Sequence, residues 1–117
     1  MQYDENGIFA KIMRREIPAD IVYETDNVLA FDDINPKAPV HVLIIPKLNI
    51  ATVNDFQPEH AQMIGELVLA AKQIAKDKGI SESGYRLVFN TMSDAGQDVF
   101  HVHLHLIGGR RMTWPPG

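Results

Sequence analysis

Residues 101–110 read HVHLHLIGGR, with histidines at 101, 103 and 105 separated by Val102 and Leu104 and followed by Leu106. Side chains alternate faces along a strand, so the three imidazoles share one face and the apolar residues take the other. Same-face neighbours lie about 6.6–6.8 Å apart, close enough to share a substrate or a metal. Three neutral imidazoles can make an open zinc site. One imidazole can instead attack phosphorus and form a phosphohistidine that water then resolves. The plainest alternative is a histidine-rich strand on a solvated sheet face. Histidines on one straight strand reach a tetrahedral ion poorly, and the neighbouring Asp94 and Asp98 carry no established metal spacing, which weighs against a metal. The stretch SDAGQD just before the strand contains Gly96, where backbone approaches closely and N–H groups can cradle an anion. An ordinary turn would use the same residues. Of the other histidines, His41 opens an apolar run, while His60 reads as a surface residue.

Such residues need a scaffold, and hydrophobic periodicity outlines one. Ile8, Phe9, Ile12 and Met13 have i, i+4 spacing and predict a short helix ended by Pro18. IVYET (21–25) and VLAFDD (28–33) alternate around Asp26-Asn27 and predict a hairpin, after which INPKAP forces a turn. HVLIIPK (41–47) predicts a central strand closed by Pro46. From Pro58 onward, Met63, Ile64, Leu67, Val68, Ala71, Ile74 and Ala75 form one stripe of a long helix. Pro58 suits its first turn and Gly79 its C′ position, with Lys76 and Lys78 near the negative end of the dipole. GYRLVFN (84–90) predicts a strand, TMSDAGQD a polar loop, VFHVHLHLIGG the last strand, and RRMTWPPG an irregular tail. Hairpin strands with two helices give an α+β fold on an antiparallel sheet. No repeat or linker divides the chain, so one domain is expected over residues 1–117.

Composition narrows the function classes. A chain of 117 residues buries a core without staples. Its 45% hydrophobic and 22% charged residues are those of a globular protein. Cysteine is absent, which excludes disulfides, thiolate zinc sites and thiol nucleophiles. The N-terminal MQYDENGIFAKIMRREIP lacks the apolar run of a signal peptide, and no stretch approaches the ~20 apolar residues of a membrane span. A cytoplasmic location without a membrane partner is expected. A formal net charge of −4 argues against nucleic-acid binding, though not against a small anion held by backbone amides.

Taken together these residues resemble the histidine triad family, whose signature is His-x-His-x-His followed by two apolar residues, x being apolar. HVHLHLI fits all seven positions. IFAKIMRREIPADIVYETDNVLAFDDINPKAPVHVLIIPK, GYRLVFN, AGQDVFHVHLHLIGGR and the terminal WPPG are similar to segments of its Hint branch, the nucleoside phosphoramidases. The resemblance implies a single histidine triad domain with a five-stranded antiparallel sheet, one short helix and one long one. It implies a metal-independent, cofactor-free hydrolase of purine nucleoside 5′-phosphoramidates, with AMP or GMP as the nucleotide moiety. The alternatives are a dinucleoside polyphosphate hydrolase of the same superfamily, a nucleotide-binding module with vestigial catalysis, or a metal-dependent hydrolase.

The same resemblance implies roles. His103 would attack the α-phosphorus and carry a nucleotidyl intermediate, His101 and His105 would orient the site, and His41 would position that network. Asn90, Gly96, Gln97 and Asp98 would lie on the phosphate side. Asp33 would accept both ribose hydroxyls, as an ionised carboxylate can. Ile8, Phe9, Ile12, Ile17, Phe31 and Ile34 would shape the base slot. The family's homodimer joins two sheets into one, and its tail, here with Trp114, reaches toward the partner's site. Asp98 stands where the best-known eukaryotic members carry serine. A carboxylate there repels a phosphate unless it is neutralised or turned away.

Overall fold

The structure, a computed structural model, describes residues 1–117. Its centre is a five-stranded sheet of β1 (Ile21–Glu24), β2 (Val28–Asp32), β3 (Val40–Pro46), β4 (Tyr85–Phe89) and β5 (Leu104–Gly108). The strand order is β1-β2-β3-β5-β4, and every pairing is antiparallel. The helices are α1 (Ile8–Met13) and α2 (Ala61–Asp77). The α+β architecture expected from the sequence is therefore present.

Alternation along the strands feeds two apolar layers. On one face Val28, Ala30, Val42, Ile44, Leu104 and Leu106 pack with Leu67, Ala71 and Ile74 of α2. On the other face Leu29, Phe31, Leu43 and Ile45 pack with Phe9 and Ile12 of α1. Because β2 and β3 are covered on both sides, Val28 to Phe31 are all buried and β2 lacks the apolar–polar alternation expected of VLAFDD (28–33), whereas the apolar run expected for β3 is present. Each fully buried Leu or Ile contributes roughly 1.5–3 kcal/mol to holding these layers together.

The long helix starts after a 3-10 turn at Pro58–His60 and closes on Gly79. There the Gly79 N–H bonds Lys76 O and the Ile80 N–H bonds Ala75 O, which satisfies the last carbonyls while Gly79 takes φ 74°. The buried stripe differs slightly from the expected one. Ala70 joins Met63, Leu67, Ala71, Ile74 and Ala75, whereas Ile64 is half-buried and Val68 is 43% exposed on the shoulder of the contact line.

Two boundaries also differ. Helix α1 ends at Met13, before Pro18, because Arg15 turns left-handed at φ 62° and the Arg15 and Glu16 N–H groups bond Ile12 O and Lys11 O. This is the closure used at Gly79, built without the glycine that would have announced it. The last strand is shorter than VFHVHLHLIGG: the ladder begins at Leu104, with Ile44 opposite it. Pro46 has no N–H with which to extend the pairing. Val102 N–H bonds Ile50 O instead, so residues 99–103 are irregular backbone.

Candidate active site

The face carrying His103 and His105 is not a solvated one. α1 covers it, leaving His101 and His103 only 2% and 5% exposed. Phe9 from α1 meets the His103 ring edge-on, with centroids 5.1 Å apart and planes at 88°. Between α1, the Asp33 turn and the ends of β4 and β5 lies a cavity of about 770 Å³. That is within the range of small-molecule sites.

Strand register brings the histidines together. Leu43 on β3 pairs with His105 and His41 pairs with Ile107, so His41 and His105 are diagonal neighbours on one face. Their rings lie 5.2 Å apart, and those of His103 and His105 lie 4.9 Å apart. On the other side of β5, Val88 pairs with His105, which carries β4 onward to Asn90 at the cavity wall.

Hydrogen bonds fix which ring nitrogen bears each proton. A carbonyl only accepts, so the 2.8 Å contact from His103 Nδ1 to His101 O puts the proton on Nδ1 and leaves a lone pair on Nε2. At His41 the Lys37 amide donates to Nδ1 at 3.1 Å, so the proton sits on Nε2. That Nε2–H donates to His105 Nδ1 at 2.9 Å, with Asp33 Oδ2 3.4 Å away. His105 therefore keeps its own proton on Nε2 as a free donor. One imidazole offers a lone pair beside another that offers an N–H, a pairing suited to attack on an oxyanion-bearing centre.

Burial keeps this set neutral. Desolvation pushes His105 down to about 4, with His103 and His41 lowering it further. Desolvation also lowers His103, against an upward pull from the His101 carbonyl, Asp98 and Asp33. His41 is lowered by burial despite Asp33. Neutral imidazole is the nucleophilic form, so the site is ready at neutral pH.

The structure also gathers Asp33, His41 and His105 closely enough to suggest a metal, with their donor atoms within 4.8 Å of one another. The tautomers oppose this. A metal would need the lone pair of His41 Nε2, the atom that the Lys37 amide forces to carry the proton. These three side chains fit a hydrogen-bonded relay better than a coordination shell.

Most residues singled out in the sequence meet at the cavity. Ile8, Phe9, Ile12, Ile17, Phe31 and Ile34 form its apolar side, with Ile34 at the rim and 92% exposed. Asp33, His41, Asn90, Asp98, His103 and His105 form the polar side. Asp33 already accepts the Asn35 N–H through Oδ1 at 2.8 Å, the bond of a turn-starting aspartate.

Others stand apart. His101 lies behind the cavity wall, where its Nε2–H donates to Pro46 O at 2.9 Å. Gly96 and Gln97 do not line the cavity. Gln97 points inward and its amide is used up on Ala51 O, Val99 O and the Met92 N–H. Gly96 takes φ 80° to close the turn after Ser93–Ala95. Trp114 is 82% exposed and outside the cavity of its own chain. His60 is remote, its Nδ1 accepting the Gln57 N–H at 2.9 Å. Sequence reasoning missed the Lys37 amide and the Pro46 carbonyl, since backbone groups leave no residue-type signal.

Comparison with known proteins agrees with this geometry. The HIT domain profile matches residues 14–112. The chain is 56% identical over 106 residues to the purine nucleoside phosphoramidase of Escherichia coli K12, covering 91% of this chain and 89% of that protein. It is 55% identical over 113 residues to an uncharacterized HIT-like protein of Synechococcus elongatus, covering 97% and 98%. Among solved structures, a HIT family hydrolase from Legionella pneumophila superposes with a TM-score of 0.94 at 54% identity, covering 96% of this chain and all of that one.

Proposed function

The chain belongs to the HIT family, and on that premise we propose that it hydrolyses the P–N bond of purine nucleoside 5′-phosphoramidates, with His103 Nε2 as the nucleophile. The observation that carries this reading is the bond from His103 Nδ1 to the His101 carbonyl, which frees the Nε2 lone pair beside a histidine donor. Nε2 forms a bond to the α-phosphorus as the P–N bond breaks, and the amine departs after taking a proton from solvent. The positive charge on the nucleotidyl-imidazole is held through Nδ1–H by the His101 carbonyl. Water then adds its hydroxyl to phosphorus and releases its proton, and His103 leaves as neutral imidazole.

The remaining residues fall into supporting roles. His105 Nε2–H and the Asn90 amide donate to the phosphoryl oxygens, Asp33 accepts the ribose hydroxyls, and the isoleucines with Phe9 and Phe31 take the purine. Imidazole is itself a good leaving group from phosphorus, so the two displacements need neither metal nor cofactor. Residues 1–117 are read as one HIT domain in a cytoplasmic homodimer. The outer side of edge strand β4, with Leu87 exposed, supports joining of two sheets, and the exposed Trp114 is available to a partner's cavity.

Turnover of adenosine 5′-phosphoramidate by wild type and His103→Ala tests the reading. A loss of at least about 10³-fold is expected for removal of a nucleophile. Equal low rates in both proteins would instead indicate a binding module. Faster turnover of diadenosine polyphosphates than of phosphoramidates would move the chain to the dinucleoside branch. Loss of activity on chelation, restored by zinc, would overturn the metal-free mechanism.

A further inference from the structure

The nucleophile hangs from the carbonyl of His101, yet His101 lies in the irregular stretch before β5, outside the sheet ladder. The N–H of the same peptide unit, on Val102, bonds Ile50 O at 2.8 Å, and the His101 side chain supplies the remaining anchors. One anchor is the Pro46 carbonyl, which accepts from Nε2–H at 2.9 Å and so places a lone pair on Nδ1. The second is the phenol of Tyr3, whose O–H lies 2.5 Å from Nδ1 and can only donate there. The two rings also meet edge-on, 5.2 Å apart at 71°. Phe9 closes another side of the imidazole, with its centroid 6.4 Å away.

We infer that Tyr3 is a positioning residue for the nucleophile, acting through His101. This rests on the proposed role of His103. The path is continuous: Tyr3 O–H to His101 Nδ1, His101 Nε2–H to Pro46 O, and His103 Nδ1–H to His101 O. With both ring nitrogens bonded, His101 has a single orientation and a single tautomer. Without the phenol its buried Nδ1 lone pair is unpaired, a cost that invites the ring to turn or admit water. Either change shifts the carbonyl that aims Nε2 of His103, and small misplacements of a reacting atom cost rate steeply. Tyr3 touches no cavity-lining histidine and does not itself line the cavity, so it acts on aim rather than on substrate binding.

Tyr3→Phe removes the hydroxyl and keeps the ring packing. Two readouts are needed: the nitrogen-15 spectrum of the histidine side chains without substrate, and kcat and KM for adenosine 5′-phosphoramidate. In the variant the His101 Nδ1 resonance is expected to move toward that of an unbonded lone pair. kcat is expected to fall about tenfold while KM stays within about twofold. An unchanged His101 resonance would overturn the inference by showing that no such bond exists. A shifted resonance with unchanged kcat would overturn it equally, by showing that the bond aims nothing. A wild type inactive on every phosphoramidate would defeat the functional reading instead. The substrate-free spectrum would then still decide whether Tyr3 holds the ring.

Discussion

His41 donates its Nε2–H to Nδ1 of His105 at 2.9 Å, across neighbouring strands β3 and β5. The Lys37 amide behind His41 fixes the direction of that donation. His105 is thereby left with one proton, on Nε2, where a phosphoryl oxygen would need it. If the two act as one unit, their deletions are not additive. His41→Ala and His105→Ala are each expected to lower kcat by about tenfold or more, and the double variant to be at most about twofold worse than the weaker single one. A double-mutant cycle on kcat checks this, and simple multiplication of the two losses would argue against the relay.

Stability should fall in mild acid, with a sign set by burial. Unfolded histidines take up protons near 6.5, whereas His101 and His105 are pushed down to about 4, chiefly by desolvation. Between those values the unfolded chain binds more protons, so stability is complete above about 6.5 and drains away as pH falls toward 4. Urea unfolding midpoints between pH 7.5 and about 4.5 are expected to decline with pH, and less steeply in His105→Asn. A midpoint independent of pH would contradict the buried, neutral assignment.

Asp33 is expected to discriminate at the sugar. Asp33→Asn keeps an oxygen for the Asn35 N–H but loses the charge that would accept two hydroxyls. Hydrogen bonds to a charged group are worth about 1.5–3 kcal/mol, so KM for a ribonucleoside phosphoramidate should rise about tenfold or more. The 2′,3′-dideoxy substrate should be affected little. Equal losses on both substrates would remove the ribose from Asp33.

Gln97 should matter to the fold more than to the reaction. Gln97→Leu strands the Ala51 and Val99 carbonyls and the Met92 N–H, with an expected loss of about 2–4 kcal/mol in chemical denaturation. Below its unfolding transition the variant should keep kcat/KM within about threefold, because the side chain lies outside the cavity. A large catalytic defect without a stability loss would return Gln97 to the phosphate.

The elements were legible because their signals are local. Short apolar runs bounded by turn residues marked β2 and β3, and Gly79 marked the end of α2. The left-handed Arg15 was not, since its closure uses no glycine, and neither was the late start of the β5 ladder, since the Val102 N–H bonds Ile50 O instead of a neighbouring strand. At the site, the cavity-lining side chains were legible from the motif and its flanks. The direction of each proton was not, because it is set by the carbonyls of Pro46 and His101 and the amide of Lys37. Gln97, which the resemblance put on the phosphate side, stands outside the cavity with its side-chain amide bonded to the Ala51 and Val99 carbonyls, contacts that no residue type announces.

The most direct measurement is the mass and location of the enzyme-bound intermediate. Enzyme mixed with excess adenosine 5′-phosphoramidate would be quenched during the first turnover under alkaline denaturing conditions, where a phosphoimidazole linkage survives, and then mapped by peptide mass spectrometry. An adenylyl group on His103, formed and lost at rates compatible with kcat, is the expected result. Turnover with an unmodified His103, or with the nucleotide carried on His101, His105 or His41, would contradict His103 as the point of attack.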